Sequence, residues 1–225
     1  MPRAARIAPG GIVFHVLNRG VGRMALFRKE ADYVAFEAVV ERCLALSPGV
    51  RLMSYCVMPN HWHLVLRPTE DGELGAFMQR LTLTHTRRWQ EHRHCHGGGH
   101  VYQGRYKSFP VQTDGHFLTL CRYVERNAAR AGLVERAETW RWSSLWRRRS
   151  GSAEQRAMLA DWPVERPRQW LRTVNAAISE PELEALRRCV SRGRPYGKDA
   201  WVERTAQTLG LTNTMRNRGR PRNET

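Results

Sequence analysis

The sequence predicts an α+β fold: an antiparallel sheet with helices on one face, followed by a basic helical extension. Three observations lead there. Short β-branched and aromatic runs are bounded by glycine and proline, apolar residues between them recur at helical spacing, and tryptophan and arginine become abundant beyond residue 135.

The elements follow in order. Residues 11–20, "GIVFHVLNRG", read as a strand closed by glycines. Residues 29–49 carry apolar side chains at 33, 36, 39, 40, 43, 44 and 46, which is helical spacing, and "SPG" ends the run. "VRLMSYCVM" (50–58) and "HWHLVLRP" (61–68) read as two strands joined through "PN", a hairpin. Residues 74–92 form a helix with Leu74, Phe77, Met78, Leu81 and His85 on one side. A loop rich in glycine and histidine (93–104) leads to a short strand at 105–112, where Pro110 points to an edge or an end. A further helix spans 114–134, with Asp114 at its start and Gly132 near its end. The first six elements, βαββαβ, match the split βαβ, ferredoxin-like arrangement. Two short helices are expected around 154–160 and 180–191.

Charge narrows the partners. Lys and Arg number 37 against 21 Asp and Glu, a net charge of +16, and residues 187–225 hold ten Lys and Arg against three Asp and Glu. Such a surplus points to a polyanion, and nucleic acid fits better than membrane because no apolar run approaches the ~20 residues that span a bilayer. The N-terminus lacks an apolar signal core, so a cytosolic protein is expected. Five scattered cysteines without a CxxC suggest free thiols rather than a disulfide framework or a zinc knuckle.

Chemistry enters at "NHWHL". Residues i and i+2 of a strand face one side, about 6.5–7 Å apart, so His61 and His63 can converge on one divalent ion while Trp62 and Leu64 face the other way. Ordinary strands carry this pattern too, and it decides nothing alone. Tyr123 and Asn127, four apart on a helix, share a face; they offer a nucleophile and a carbonyl ligand, or simply packing. Imidazole and oxygen together suit Mg²⁺ or Mn²⁺, which polarise a phosphate while a phenolate attacks in line. Competing groups rank lower. The loop histidines His92, His94, His96 and His100 with Cys95 crowd one segment with no second half, and Tyr102 and Tyr106 lack an oxygen ligand four residues on.

"MPNHWHLVLRP", "YQGRYKSFPVQ", "RYVERNAARAGLV" and "WRWSSL", in this order, resemble the REP-associated tyrosine transposases, within the single-tyrosine HUH superfamily. The likeness covers about 11–149, and the basic tail with its two "RGRP" segments is similar to the family's C-terminal region. The resemblance implies that His61 and His63 are metal ligands, that Tyr123 is the nucleophile, and that Asn127 completes the site. It implies a catalytic domain over 1–150, a DNA-contacting extension over 151–225, and a cytoplasmic, nucleoid-associated monomer or homodimer. The implied activity is cleavage of single-stranded, REP-type hairpin DNA through a 5′-phosphotyrosine, dependent on Mg²⁺ or Mn²⁺. Two departures concern packing: Ala128 stands where the family often has proline, and Trp62 is bulkier than the usual aliphatic residue. Expected DNA contacts are Arg19, Arg23, Arg105, Lys107, Arg126, Trp142, Arg216, Arg218, Arg220 and Arg222. The alternatives are a hairpin-DNA regulator that no longer cuts and an RNA-binding protein, although no aromatic run of the RNP type occurs.

Overall fold

The computed structural model describes residues 7–95, 97 and 99–216. It contains β1 (Val13–Arg19), α1 (Glu30–Ala45), β2 (Val50–Met58), β3 (His61–Pro68), α2 (Glu73–His92) and β4 (Lys107–Val111). The strands form one sheet in the order β2-β3-β1-β4, each antiparallel to its neighbours. That is the strand order of a split βαβ unit, as the element sequence predicts. The boundaries of β2 and β3 coincide with the expected ones, because "PN" leaves only two residues between the strands.

The sheet is buried on both faces. Trp62, Leu64 and Leu66 of β3 meet Phe36, Val39 and Val40 of α1 and Phe77, Met78 and Leu81 of α2. These two helices occupy one face, as expected. On the other face, Val65, Met58 and Phe109 pack against Phe117, Leu120 and Val124 of α3 (Gly115–Glu125). Strands covered on both sides carry near-continuous apolar runs, and "VRLMSYCVM" is one.

The helix expected over 114–134 begins as foreseen, with the Asp114 side chain accepting a hydrogen bond from the His116 N–H. It is interrupted at Arg126, and a short turn, α4 (Asn127–Arg130), continues to Gly132, which takes a φ of +71°.

Among the described residues five more α-helices follow: α5 (Ser144–Ser150), α6 (Ala153–Ala157), α7 (Trp170–Asn175), α8 (Glu180–Arg192) and α9 (Asp199–Thr208). Only α6 and α8 were expected from spacing; α5 and α7 are under two turns long and show no period. Trp170, Val174, Leu183, Leu186 and Cys189 enter the second core beside α3. The chain after α4 also covers both sheet edges. Val57 N–H donates to the Trp142 carbonyl on the β2 side, and Tyr196 exchanges backbone hydrogen bonds with Pro110 and Gln112 on the β4 side. Paired edges do not template aggregation. Among the described residues no helix is long and apolar enough to cross a membrane.

Candidate active site

The site forms at the end of the sheet where β1 finishes and β3 begins. Register places Arg19 opposite His61 and Leu17 opposite His63, with Cys56 of β2 on the other flank of His63. Alternation does the sorting: Trp62 is wholly buried in the first core, while the two imidazoles turn to the second face, their ring centroids 5.0 Å apart. Trp62 Nε1–H donates to the Tyr102 hydroxyl, which in turn meets His85 Nδ1 at 2.6 Å. Tyr102 therefore belongs to the packing behind the strand and not to the site.

α3 brings Tyr123 onto His63. The two rings meet edge to face with centroids 5.9 Å apart. Two residues on, Glu125 anchors the helix end. Its buried carboxylate accepts hydrogen bonds from Ser144 Oγ and Trp170 Nε1, each at 2.7 Å. Burial pushes this carboxyl's pKa up. Ser144 is also bonded to Ser54 of β2, so α3, α5, α7 and the sheet share one polar junction.

Despite the break at Arg126, Tyr123 and Asn127 keep a common face. Arg130 reports it: its guanidinium lies 5.2 Å from the Tyr123 ring centroid, and its Nη2 donates to Asn127 Oδ1 at 2.7 Å. Arg130 escaped the sequence reading, although its position, three after Asn127 and seven after Tyr123, is the signal of a shared helix face.

Both histidines are engaged through Nδ1. His61 Nδ1 lies 2.6 Å from Asn60 Oδ1, and the Asn60 amide is oriented by Nδ2 donating to the Arg23 carbonyl. An amide oxygen only accepts, so His61 carries its proton on Nδ1 and leaves the Nε2 lone pair free. His63 Nδ1 is likewise engaged, 2.8 Å from Nε2 of His15, a buried β1 residue absent from the sequence-based set. Burial lowers the His61 pKa to about 4, aided by Arg19 and Arg130; His63 is held well below its ordinary value by burial, then by His61 and His15. Both imidazoles are therefore neutral near pH 7, the form that ligates.

The donor set fits a divalent cation: two neutral imidazoles and one carboxamide. Asn127 is buried and its Nδ2 has no partner, so its side chain is incompletely satisfied as it stands. Among the described residues no group of three or more His, Cys, Asp or Glu is placed to hold a metal, the loop with His92, His94, Cys95 and His100 included. His96 lies outside the described residues.

The basic residues divide. Arg19 Nε and Arg126 Nε are buried without partners among the described residues, which suits an anionic ligand. Arg23, Arg105, Lys107 and Arg216 are exposed, and Arg218, Arg220 and Arg222 lie outside the described residues. Trp142 is a correction: only 8% exposed, it stacks on Tyr33 at 4.8 Å, with Arg141 on its ring at 4.9 Å. Neither ring face is open to a base.

The family model described as IS200-like transposase matches residues 11–127, more than half of the chain. The protein belongs to the IS200-like transposase family, a class that processes DNA. Within the solved structures, a REP-associated tyrosine transposase bound to a REP hairpin is similar at 17% identity and a TM-score of 0.53, covering 80% of this chain and 96% of that one. The fold is thus shared with that protein. A transposase so designated from Deinococcus radiodurans R1 aligns at 19% identity and a TM-score of 0.39, over 56% of this chain and 96% of its own. No curated protein matches the chain.

Proposed function

We propose that this protein is a metal-dependent, single-strand DNA endonuclease and strand transferase that recognises REP-type hairpins and cleaves through Tyr123. The observation that carries the reading is the meeting of the Tyr123 ring with His63, 5.9 Å centroid to centroid, beside two imidazoles engaged at Nδ1. Tyr123 Oη attacks the scissile phosphorus and the phenol proton passes to water. The bond from phosphorus to the 3′ oxygen breaks, the 3′ oxygen leaves as a hydroxyl, and the 5′ side remains as a phosphotyrosine. The phosphoester bond is conserved in this step, so a second hydroxyl can reverse it and join strands. His61 and His63 would hold Mg²⁺ or Mn²⁺ with Asn127. Such an ion supplies Lewis-acid polarisation of the phosphate.

Arg130 orients the Asn127 carboxamide and borders the nucleophile. Arg19 and Arg126, with their unpartnered buried Nε groups, take phosphate oxygens. Arg23, Arg105, Lys107 and Arg216, exposed around them, raise affinity by releasing counterions. The groups that do chemistry lie within 1–150, while 151–225 supports α3 and adds positive charge. The enzyme acts on chromosomal DNA in the cytoplasm, as a monomer or homodimer.

Incubation of 5′- and 3′-labelled hairpin DNA with Mn²⁺, followed by a denaturing gel, tests this. Wild type yields a covalent protein–DNA adduct and a free 3′-hydroxyl fragment; Tyr123→Phe yields neither. An equal adduct from the two proteins removes Tyr123 from the chemistry.

A further inference from the structure

We infer that His15 is the positioning residue for the metal ligand His63, fixing which ring nitrogen of His63 faces the site. The inference rests on the proposed function, because it presumes that His63 ligates.

Three observations carry it. The first is the bond itself: His15 Nε2 and His63 Nδ1 lie 2.8 Å apart, both side chains buried. The second is where the bond comes from. β1 and β3 pair so that His15 lies opposite Val65 and Leu17 lies opposite His63, which makes His15 the diagonal neighbour of His63 on the same face. Diagonal neighbours stand about 7–8 Å apart at Cα, within reach of two rings that lean together. The backbone register thus delivers the contact, and the Phe109 ring, 4.8 Å from His15, holds it from the β4 side.

The third observation is that packing does not need a histidine there. On the same face of β1, His15 is flanked by Val13 and Leu17, both buried, and an apolar side chain would continue that row. Histidine instead leaves Nδ1 buried with no partner. A buried polar atom left unmatched on one side points to a use for the other.

That use follows from the inventory of an imidazole. A neutral ring has one N–H and one lone pair. If His15 Nε2 accepts, His63 carries its proton on Nδ1 and presents the Nε2 lone pair to the site. If His15 Nε2 donates, His63 Nε2 is protonated and cannot ligate. His15 therefore serves the site in the first arrangement, with its own proton on Nδ1. It repeats inside the core what Asn60 does for His61 at the turn, so each ligand is oriented through its Nδ1. The two supports differ in one respect: Asn60 is partly exposed and water can replace it, whereas nothing can replace His15 at a wholly buried position.

The test compares Mn²⁺ binding, read by electron paramagnetic resonance, in wild type, His15→Phe, His15→Gln and His63→Ala. Hairpin affinity without metal and thermal melts serve as controls for folding. Expected is a loss of Mn²⁺ affinity of about 10–100-fold in His15→Phe. His15→Gln, whose Oε1 can accept where Nε2 does, recovers most of it. His15→Phe binding Mn²⁺ within twofold of wild type, or His15→Gln binding as weakly as His15→Phe, overturns the inference. If His63→Ala also binds Mn²⁺ like wild type, the metal reading itself falls; if only His15→Phe does, the metal reading stands and His15 is packing. Should His15→Phe not fold, ¹⁵N-histidine NMR of the wild type with Mg²⁺ decides alone. A proton on His63 Nδ1 supports the assignment, and a proton on Nε2 with metal bound refutes it.

Discussion

Lowering the pH from 7 to 5 withdraws stability from this fold through histidines held neutral in its interior, and His85 isolates the effect. His85 lies on α2, away from the proposed ligands, where its Nδ1 meets the Tyr102 hydroxyl at 2.6 Å. Tyr102 already accepts from Trp62 Nε1, so its own O–H is free to donate to His85, which satisfies all three groups when that nitrogen is unprotonated. Burial lowers the His85 pKa from 6.5 to about 3, partly opposed by Asp32. The unfolded chain thus binds a proton near pH 6.5 that the folded chain refuses until about pH 3. Stability is fully retained above pH 6.5 and falls as the pH drops through this window. At about 1.4 kcal/mol per pH unit, with the group still mostly neutral at pH 7, the loss by pH 5 is about 2 kcal/mol. His15, His61 and His63 are lowered in the same direction, so the whole protein loses more. Urea melts of wild type and His85→Phe at pH 7 and pH 5 separate the terms. The variant starts less stable, but its loss between the two pH values is smaller than that of wild type by about 2 kcal/mol. Equal losses within about 0.5 kcal/mol would refute a neutral, buried His85.

Two further outcomes follow from the site. His61→Ala abolishes DNA cleavage while keeping most hairpin binding, because it removes a ligand and no phosphate contact; gel-shift and cleavage assays on one preparation check this, and cleavage that survives EDTA contradicts the metal role. Glu125→Ala strands the Trp170 N–H in the core, while the Ser144 hydroxyl keeps Ser54 and the Tyr55 backbone as partners. At about 1–3 kcal/mol for a buried group left unmatched, the destabilisation is about 1–3 kcal/mol, readable in urea melts, and a loss under about 0.5 kcal/mol would show the junction to be dispensable.

What the sequence disclosed tracks the range of each interaction. His61 with His63, and Tyr123 with Asn127, are close along the chain, so the periods of a strand and a helix suffice to place each pair on a face. The same reasoning reaches Arg130. His15 was illegible because its role depends on the register of β1 against β3, and the partners lie 48 positions apart. "GIVFHVLNRG" shows a histidine in an apolar strand and nothing of what it touches. Trp142 misled for a related reason: tryptophan beside arginine reads as a nucleic-acid surface, but its ring is claimed by Tyr33, over a hundred residues earlier. The two-sided burial of the sheet had a signal, the unbroken apolar run of β2, which alternation arguments tend to pass over.

The matched family region ends at Asn127, yet the position of Tyr123 is not determined within it. α3 lies over the second face of the sheet, and its end is fixed where Glu125 receives Ser144 and Trp170, both beyond the match. Trp170, Val174, Leu183 and Leu186 close the apolar surface that α3 shares with Phe109 and Val65. Without them the helix would rest on the sheet by one side only, and its buried glutamate would keep Ser144 but lose the Trp170 N–H. The proposed ligands His61 and His63 are held differently, by β-sheet register and by Asn60 and His15 within the matched region. The two histidines and Tyr123 thus have separate supports, one in the sheet and one in the chain that follows it. On the proposed function, a change in the C-terminal half that loosens α7 is therefore expected to shift Tyr123 relative to an intact pair of histidines, so that cleavage is lost before Mn²⁺ binding is.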